Sequence, residues 1–289
     1  MLHTTLVSTE TLAHAPAGAW AIVDCRFELA NDAWGREQYL AGHVPGAVYA
    51  HLNDDLSAPR TGTNGRHPLP SDDALIATLE RLGIGNDTQV VVYDQDAGSY
   101  ASRLWWLLRY AGHRAAAVLD GGFAKWVAEG RPARSGPETR ARATFQPSFD
   151  RGLALTVDEV ARRSQDGHTL LVDARAAERF EGRSETIDKV AGHIPGARNR
   201  FFRDNLSPDG TMLPPDALRA AFTGVLDGRA PRDAVMYCGS GVTACHNLLA
   251  MEHAGLPGSP LYTGSWSEWS SDPARPIETG PARKAPGGA

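Results

Sequence analysis

The chain of 289 residues is 42% hydrophobic and 22% charged, with 29 Lys+Arg against 34 Asp+Glu and a formal net charge of −5. This balance supports about two globular domains with real cores and excludes a disordered, collagen-like or coiled-coil chain. Its acidic sign offers no attraction for nucleic acid or an anionic membrane surface, so neither is expected as a partner.

No apolar run approaches the ~18 residues of a bilayer span, and Leu104–Leu108 is cut at Arg109. The first residues show no basic region followed by an apolar one, so no export or transit signal is expected. Cys25, Cys238 and Cys245 form no Cys-x-x-Cys pair, which fits neither a disulfide framework nor a zinc site. No metal or organic cofactor is expected, and a reducing, cytoplasmic compartment fits best.

In chain order, short runs rich in Val, Leu and Ile alternate with longer helical patterns. Strands are predicted at Ala21–Asp24, Gln89–Tyr93, Leu170–Asp173 and Ala234–Tyr237, where consecutive positions are apolar, as in a parallel sheet covered on both faces. Helices are predicted at Asp72–Leu82, Ser99–Ala111 and Thr243–Ala254, with apolar residues at i, i+3 and i+4. The alternation predicts an α/β protein whose ligand sits at the carboxyl ends of the strands.

The chain also repeats itself. AGHVPGA at Ala41–Ala47 returns as AGHIPGA at Ala191–Ala197, and IVDCR at Ile22–Arg26 returns as LVDAR at Leu171–Arg175. Downstream, VVVYD at Val90–Asp94 matches AVMYC at Ala234–Cys238, and LDGGFAKW at Leu119–Trp126 matches YTGSWSEW at Tyr262–Trp269. Order and spacing are kept throughout, which defines a tandem duplication. The stretch from Arg131 to Arg151, rich in Pro, Gly, Ser and Arg, has linker composition. The expected division is a first domain over 1–135, a linker over 136–152, a second domain over 153–280 and a tail over 281–289.

The strand at Ala234–Tyr237 runs into Cys238-Gly239-Ser240-Gly241-Val242-Thr243 and then directly into a helix. Glycines permit a tight loop whose N–H groups point inward, and these donors together with the helix dipole favour the thiolate, the nucleophilic form of cysteine. A free cysteine is otherwise most often a small core residue. The Gly-Ser-Gly turn after Cys238 favours function.

Taken together, the two AGH[VI]PGA segments, the VD[CA]R segments and CGSGVTAC resemble the tandem-domain rhodaneses, a sulfurtransferase family, over about residues 5–270. The resemblance implies two rhodanese-like domains, each a mostly parallel sheet flanked by helices, with the nucleophile Cys238 in the second. At its equivalent in the first stands Asp94, which cannot form a thiolate, so that half is implied to be a structural partner.

Loops reading Cys-Gly-Ser-Gly-Val-Thr are similar to those of 3-mercaptopyruvate sulfurtransferases, whereas thiosulfate-preferring loops carry cations. The resemblance implies sulfur transfer from 3-mercaptopyruvate through a Cys238 persulfide to a thiol, a thioredoxin-like protein or cyanide. The backbone from Gly239 through Gly241, Val242 and Thr243 would cradle the sulfur. Thiosulfate is the alternative donor. A phosphatase would need an arginine near the loop end, where Val242, Thr243, Ala244 and Cys245 stand. A non-catalytic scaffold role would leave the intact cysteine loop without a purpose.

By the same resemblance Arg179 aligns with an arginine that clamps the substrate carboxylate. A second arginine is usual about nine residues further on, but Asp188 stands there, with Arg183 and Lys189 as nearby substitutes. Mercaptopyruvate-type relatives further imply an Asp–His–Ser relay, matched by Asp32, His43 and Ser240. His193 occupies the same motif in the second half, as a structural element of the HxPG turn would. Asp24–Arg26 and Asp173–Arg175 recur in both halves and are expected to be structural ion pairs at strand ends. Cys25, Cys245 and the tryptophans Trp105, Trp106, Trp126, Trp266 and Trp269 are expected in the core.

Overall fold

A computed structural model describes residues 2–95 and 97–282. The chain divides into two compact units. Among the described residues, the first contains 2–59, 69–95, 97–151 and 206–213, and the second contains 60–68, 152–205 and 214–282. These units are not contiguous halves. Residues 60–68 belong to the second unit, although their sequence lies in the first repeat.

The first unit contains β1 (Leu6–Val7), α1 (Thr9–Ala13), β2 (Ala21–Asp24), α2 (Trp34–Ala41), β3 (Ala47–Tyr49), α3 (Asp72–Arg81), β4 (Val90–Tyr93), α4 (Ala101–Tyr110), β5 (Ala116–Leu119) and α5 (Gly122–Ala128). The second contains β6 (Ala154–Leu155), α6 (Val157–Arg163), β7 (Leu170–Asp173), α7 (Ala177–Phe180), β8 (Arg198–Asn199), α8 (Pro215–Leu226), β9 (Ala234–Tyr237), α9 (Ala244–His253), β10 (Leu261–Tyr262) and α10 (Ser265–Trp269). Each unit holds one parallel five-stranded sheet, in the order β1-β5-β4-β2-β3 and β6-β10-β9-β7-β8. The second order is the first advanced by five strands, so the duplication read from sequence is also a duplication of topology.

The central strands β4 and β9 are buried along their whole length, which explains their unbroken apolar runs. Equivalent clusters pack one face of each sheet: Val91, Tyr93, Leu119 and Trp126 in the first unit, and Val235, Tyr237, Tyr262 and Trp269 in the second. Helix starts follow local chemistry. Ser71 Oγ accepts from the Ala74 amide to cap α3, and Thr156 and Glu159 form a reciprocal capping box on α6.

The stretch with linker composition packs on the first unit. Phe145 is buried there, and the amides of Ala143, Ser148 and Asp150 donate to the carbonyls of Glu80, Ala111 and Tyr110. All five tryptophans expected in the core are buried, as are all three cysteines, which are free thiols. The expected tail lies outside the described residues from 283 onward. No described helix is long and apolar enough to cross a membrane.

At the end of β2 and of β7 lies a buried ion pair. Arg26 Nη2 meets Asp24 Oδ2 at 2.6 Å, and Arg175 Nη2 meets Asp173 Oδ2 at 2.7 Å. Each guanidinium also donates to the carbonyl that precedes the HxPG histidine, Gly42 O at 2.6 Å and Gly192 O at 2.7 Å. Burial works against the charge of Arg175, yet the Asp173 carboxylate outweighs it and holds this arginine above its ordinary value. Replacing Arg175 with Met would leave Asp173 buried and uncompensated. This change is expected to cost about 3–5 kcal/mol of stability in urea unfolding followed by tryptophan fluorescence. A loss below about 1 kcal/mol would contradict a structural role for the pair.

Candidate active site

Strand β9 ends at Tyr237, which places Cys238 at the carboxyl edge of the second sheet, buried and ahead of the N-terminus of α9. The loop is tied down by the start of α10. The Cys238 amide donates to Ser265 Oγ at 3.1 Å, while the Cys238 and Gly239 carbonyls accept from the amides of Trp266 (3.0 Å) and Ser267 (2.9 Å). Gly241 has φ +73°, and a Cβ there would lie 2.2 Å from the Thr263 carbonyl oxygen, so both the turn and the close approach require glycine. Cys245 is packed inside α9 and its thiol donates to the Gly241 carbonyl at 3.3 Å. Val242 is buried and Thr243 half-buried at the helix N-cap.

The first unit shows what such a loop holds. Asp94 ends β4 where Cys238 ends β9, and its carboxylate accepts from the amides of Gly98 (2.9 Å), Tyr100 (2.7 Å) and Ala101 (3.0 Å). The same strand–loop–helix junction there binds an anion with backbone donors, the behaviour expected of a nest at a helix start.

Charged side chains gather over Gly239. A Cβ placed on that glycine would lie 2.9 Å from Arg66 Nη2, 3.5 Å from Arg179 Nη2 and 3.6 Å from Asp188 Oδ2. Arg179, on α7, meets Asp188 Oδ2 at 2.9 Å and Glu185 Oε1 at 2.9 Å, and Arg66 Nη1 pairs with Asp188 Oδ1. Burial tends to raise the Glu185 carboxyl, but hydrogen bonds from Arg179 and the Asp188 and Ile187 amides outweigh it and hold the group below the ordinary range. Ser240 Oγ lies 2.8 Å from His67 Nδ1, and His67 is buried.

Of the residues expected from sequence, the structure thus gathers Cys238, Gly239, Ser240, Gly241 and Arg179 in one place. Arg183 is exposed and pairs with Glu181 at 2.5 Å, while Lys189 is exposed on the wall of a neighbouring cavity. A second guanidinium over Gly239 is that of Arg66, and the imidazole on Ser240 is that of His67.

His43 has another setting, buried in the first unit. It is stacked on Tyr39 at 4.3 Å, with Nδ1 2.8 Å from the Tyr39 carbonyl and Nε2 3.9 Å from Glu138. His193 repeats this arrangement with Phe180 and Glu278, at 3.7 Å between rings and 3.9 Å to the carboxylate. The shared contacts make both residues parts of the HxPG turn. Asp32 is exposed, and its carbonyl accepts from His51 Nε2 at 3.0 Å.

Arg66 and His67 escaped the sequence reading because they sit in a polar Gly/Pro-rich segment with no periodicity. A signal was present all the same. Aligning Leu69-Pro70 with Leu213-Pro214 sets Arg66-His67 against Gly210-Thr211, an arginine and an imidazole in one repeat where the other has neither.

The rhodanese-like domain model matches the chain twice, over residues 8–129 and 156–272. The chain belongs to the rhodanese-like family, as two tandem copies, and in class it is a sulfurtransferase. Among its relatives, a protein of Pseudomonas aeruginosa described as "Probable 3-mercaptopyruvate sulfurtransferase" is 48% identical over 90% of this chain and 92% of its own. The thiosulfate sulfurtransferase of Cricetulus griseus is 37% identical over 99% of each chain. The solved 3-mercaptopyruvate sulfurtransferase from Leishmania major matches with TM-score 0.81 and 32% identity, covering 92% of this chain and 74% of that one.

Replacing Gly241 with Ala is expected to abolish sulfur transfer, since the clash is with backbone and left-handed geometry adds about 1–2 kcal/mol of strain. The readout is kcat/KM beside circular dichroism. A variant with at least half of wild-type activity would refute the close approach at Thr263.

Proposed function

We propose that this chain moves sulfane sulfur from 3-mercaptopyruvate through a persulfide on Cys238 to an acceptor thiol or cyanide. The observation that carries the reading is the convergence of Arg66 and Arg179 on Gly239, one residue from the thiol. A pair of guanidiniums suits a substrate carboxylate, and the loop itself supplies backbone donors rather than cations.

In this reading the Cys238 thiolate attacks the sulfur of 3-mercaptopyruvate. The carbon–sulfur bond breaks, and its electron pair leaves with the enolate of pyruvate. The proton of the donor thiol passes by way of Ser240 and His67 to the enolate carbon, so pyruvate departs and Cys238 holds a persulfide anion. The loop amides from Gly239 to Thr243 and the start of α9 stabilise the outer sulfur; Val242 and Ala244 stand where the Gly98 and Tyr100 amides hold the Asp94 carboxylate in the first unit. An acceptor thiolate or cyanide then attacks that sulfur and restores the thiolate, a ping-pong cycle. A small thiol or a thioredoxin-like protein is the acceptor in a reducing cytoplasm.

Thiosulfate is the second reading, favoured by the relatives named for it. Its chemistry differs in one respect. Sulfite leaves with the electron pair of the broken sulfur–sulfur bond and needs no proton.

Pyruvate release from 3-mercaptopyruvate should exceed thiocyanate formation from thiosulfate and cyanide by ten-fold or more in kcat/KM, and Cys238→Ser should lose both. A preference for thiosulfate would overturn the donor, and no activity with either would overturn the reading. His67→Gln is expected to lower kcat on 3-mercaptopyruvate about 10²-fold and to affect thiosulfate far less. Equal losses on both donors would remove the proton-transfer role.

A further inference from the structure

We infer that Asp188 is the specificity-determining residue of the donor site, an internal carboxylate that holds the two guanidiniums in place of a substrate anion and disfavours doubly charged donors. The inference rests on the sulfur-donor reading of the site. It begins from the setting of the Asp188 carboxylate between two guanidiniums.

Asp188 is not a surface acid. Its side chain is 5% exposed, it bridges Arg66 and Arg179, and its amide donates to Glu185 Oε1 at 3.0 Å. In the connected cluster, the guanidiniums of Arg66, Arg175 and Arg179 face the carboxylates of Asp173, Glu185 and Asp188, so the formal charges cancel. An arriving anion therefore meets two arginines that are already neutralised. Solvent screens such a half-buried set weakly, so each unit of charge on the ligand counts.

The site retains donors for a ligand. Arg66 Nε is buried without a hydrogen-bond partner among the described residues, and Arg66 Nη2 is turned toward Gly239. A neighbouring cavity of about 380 Å³, lined by Arg60, Arg66, Asp188, Lys189, Ser267 and Ser270, borders the Arg66–Asp188 contact. An anion that reaches the guanidiniums either displaces the Asp188 carboxylate from them or settles beside it. In both cases the Asp188 charge stays within the cluster, and its repulsion scales with the charge of the donor. The monoanion 3-mercaptopyruvate is penalised once and the dianion thiosulfate twice.

Asp188→Asn keeps the shape and removes the charge. It is expected to lower KM for thiosulfate ten-fold or more and KM for 3-mercaptopyruvate about three-fold, with kcat on each donor changed less than about three-fold. The discrimination between donors, as the ratio of their kcat/KM values, then shifts toward thiosulfate. Asp188→Glu, which restores the charge, should return the wild-type ratio. A rise in KM for both donors, or an unchanged ratio, would overturn the proposal and leave Asp188 as a scaffold for its arginines. Direct binding of sulfate to Cys238→Ser, with and without Asp188→Asn, gives an arm free of turnover. Tighter sulfate binding supports the proposal, and equal or weaker binding overturns it. Should the wild type turn over neither donor, the sulfurtransferase reading would fail while the sulfate measurement still decided the role of Asp188.

Discussion

The site depends on a pair of charges buried beneath it. Asp173 and Arg175 close the end of β7 with side chains 0% and 1% exposed, and the guanidinium reaches the Gly192 carbonyl and Glu185 as well as its partner. Buried ions are tolerable only when every charge and donor is met, and here the partners are supplied in sequence. From Arg175 the contacts run to Glu185, then Arg179, Asp188 and Arg66. The group that anchors the strand end is thus continuous with the charges gathered over Gly239. Burial and the nearby Asp173 carboxylate also hold the Tyr237 phenol neutral, well above its ordinary value, directly before Cys238.

The first unit has the anchor without the extension. Asp24, Arg26 and Tyr93 repeat Asp173, Arg175 and Tyr237, with the Tyr93 hydroxyl donating to Asp24 at 2.7 Å. Arg26 then lies over the Phe123 ring at 4.2 Å and Arg175 over the equivalent Trp266 ring at 5.0 Å, but Arg175 also meets Glu185. The duplicated framework, ring included, is therefore shared, and the repeats part at three places: aspartate or cysteine at the strand end, the added Glu185 carboxylate beside the second anchor arginine, and Gly-Thr or Arg-His before the Leu-Pro step.

Much of the fold was legible because central strands and amphipathic helices leave periodic patterns. The runs at Ala21–Asp24, Leu170–Asp173 and Ala234–Tyr237 match β2, β7 and β9, and Asp72–Leu82 overlaps α3 to within one residue. Strands of two or three residues, such as β1, β3, β6, β8 and β10, are too short to show a period and exist through pairing with their neighbours. Cys238 and its loop were legible because backbone geometry demands their glycines. His67 and Arg66 were not, because their positions depend on how a non-periodic segment packs in the second unit, and no local rule encodes that. The HxPG histidines stood out for the opposite reason. Their motif is strict in both repeats because each ring is stacked and hydrogen-bonded within the turn.

The carboxylate of Asp94 has a thermodynamic consequence. A cradle filled by its own chain is saturated at every ligand concentration, so mass action gives dissolved anions no purchase on the first unit there. In the second unit the equivalent position carries the Cys238 thiol, and any ligand bound over it adds directly to the stability of that unit. One duplicated architecture is therefore split into a half whose resistance to unfolding is fixed by covalent structure and a half whose resistance follows the metabolite pool.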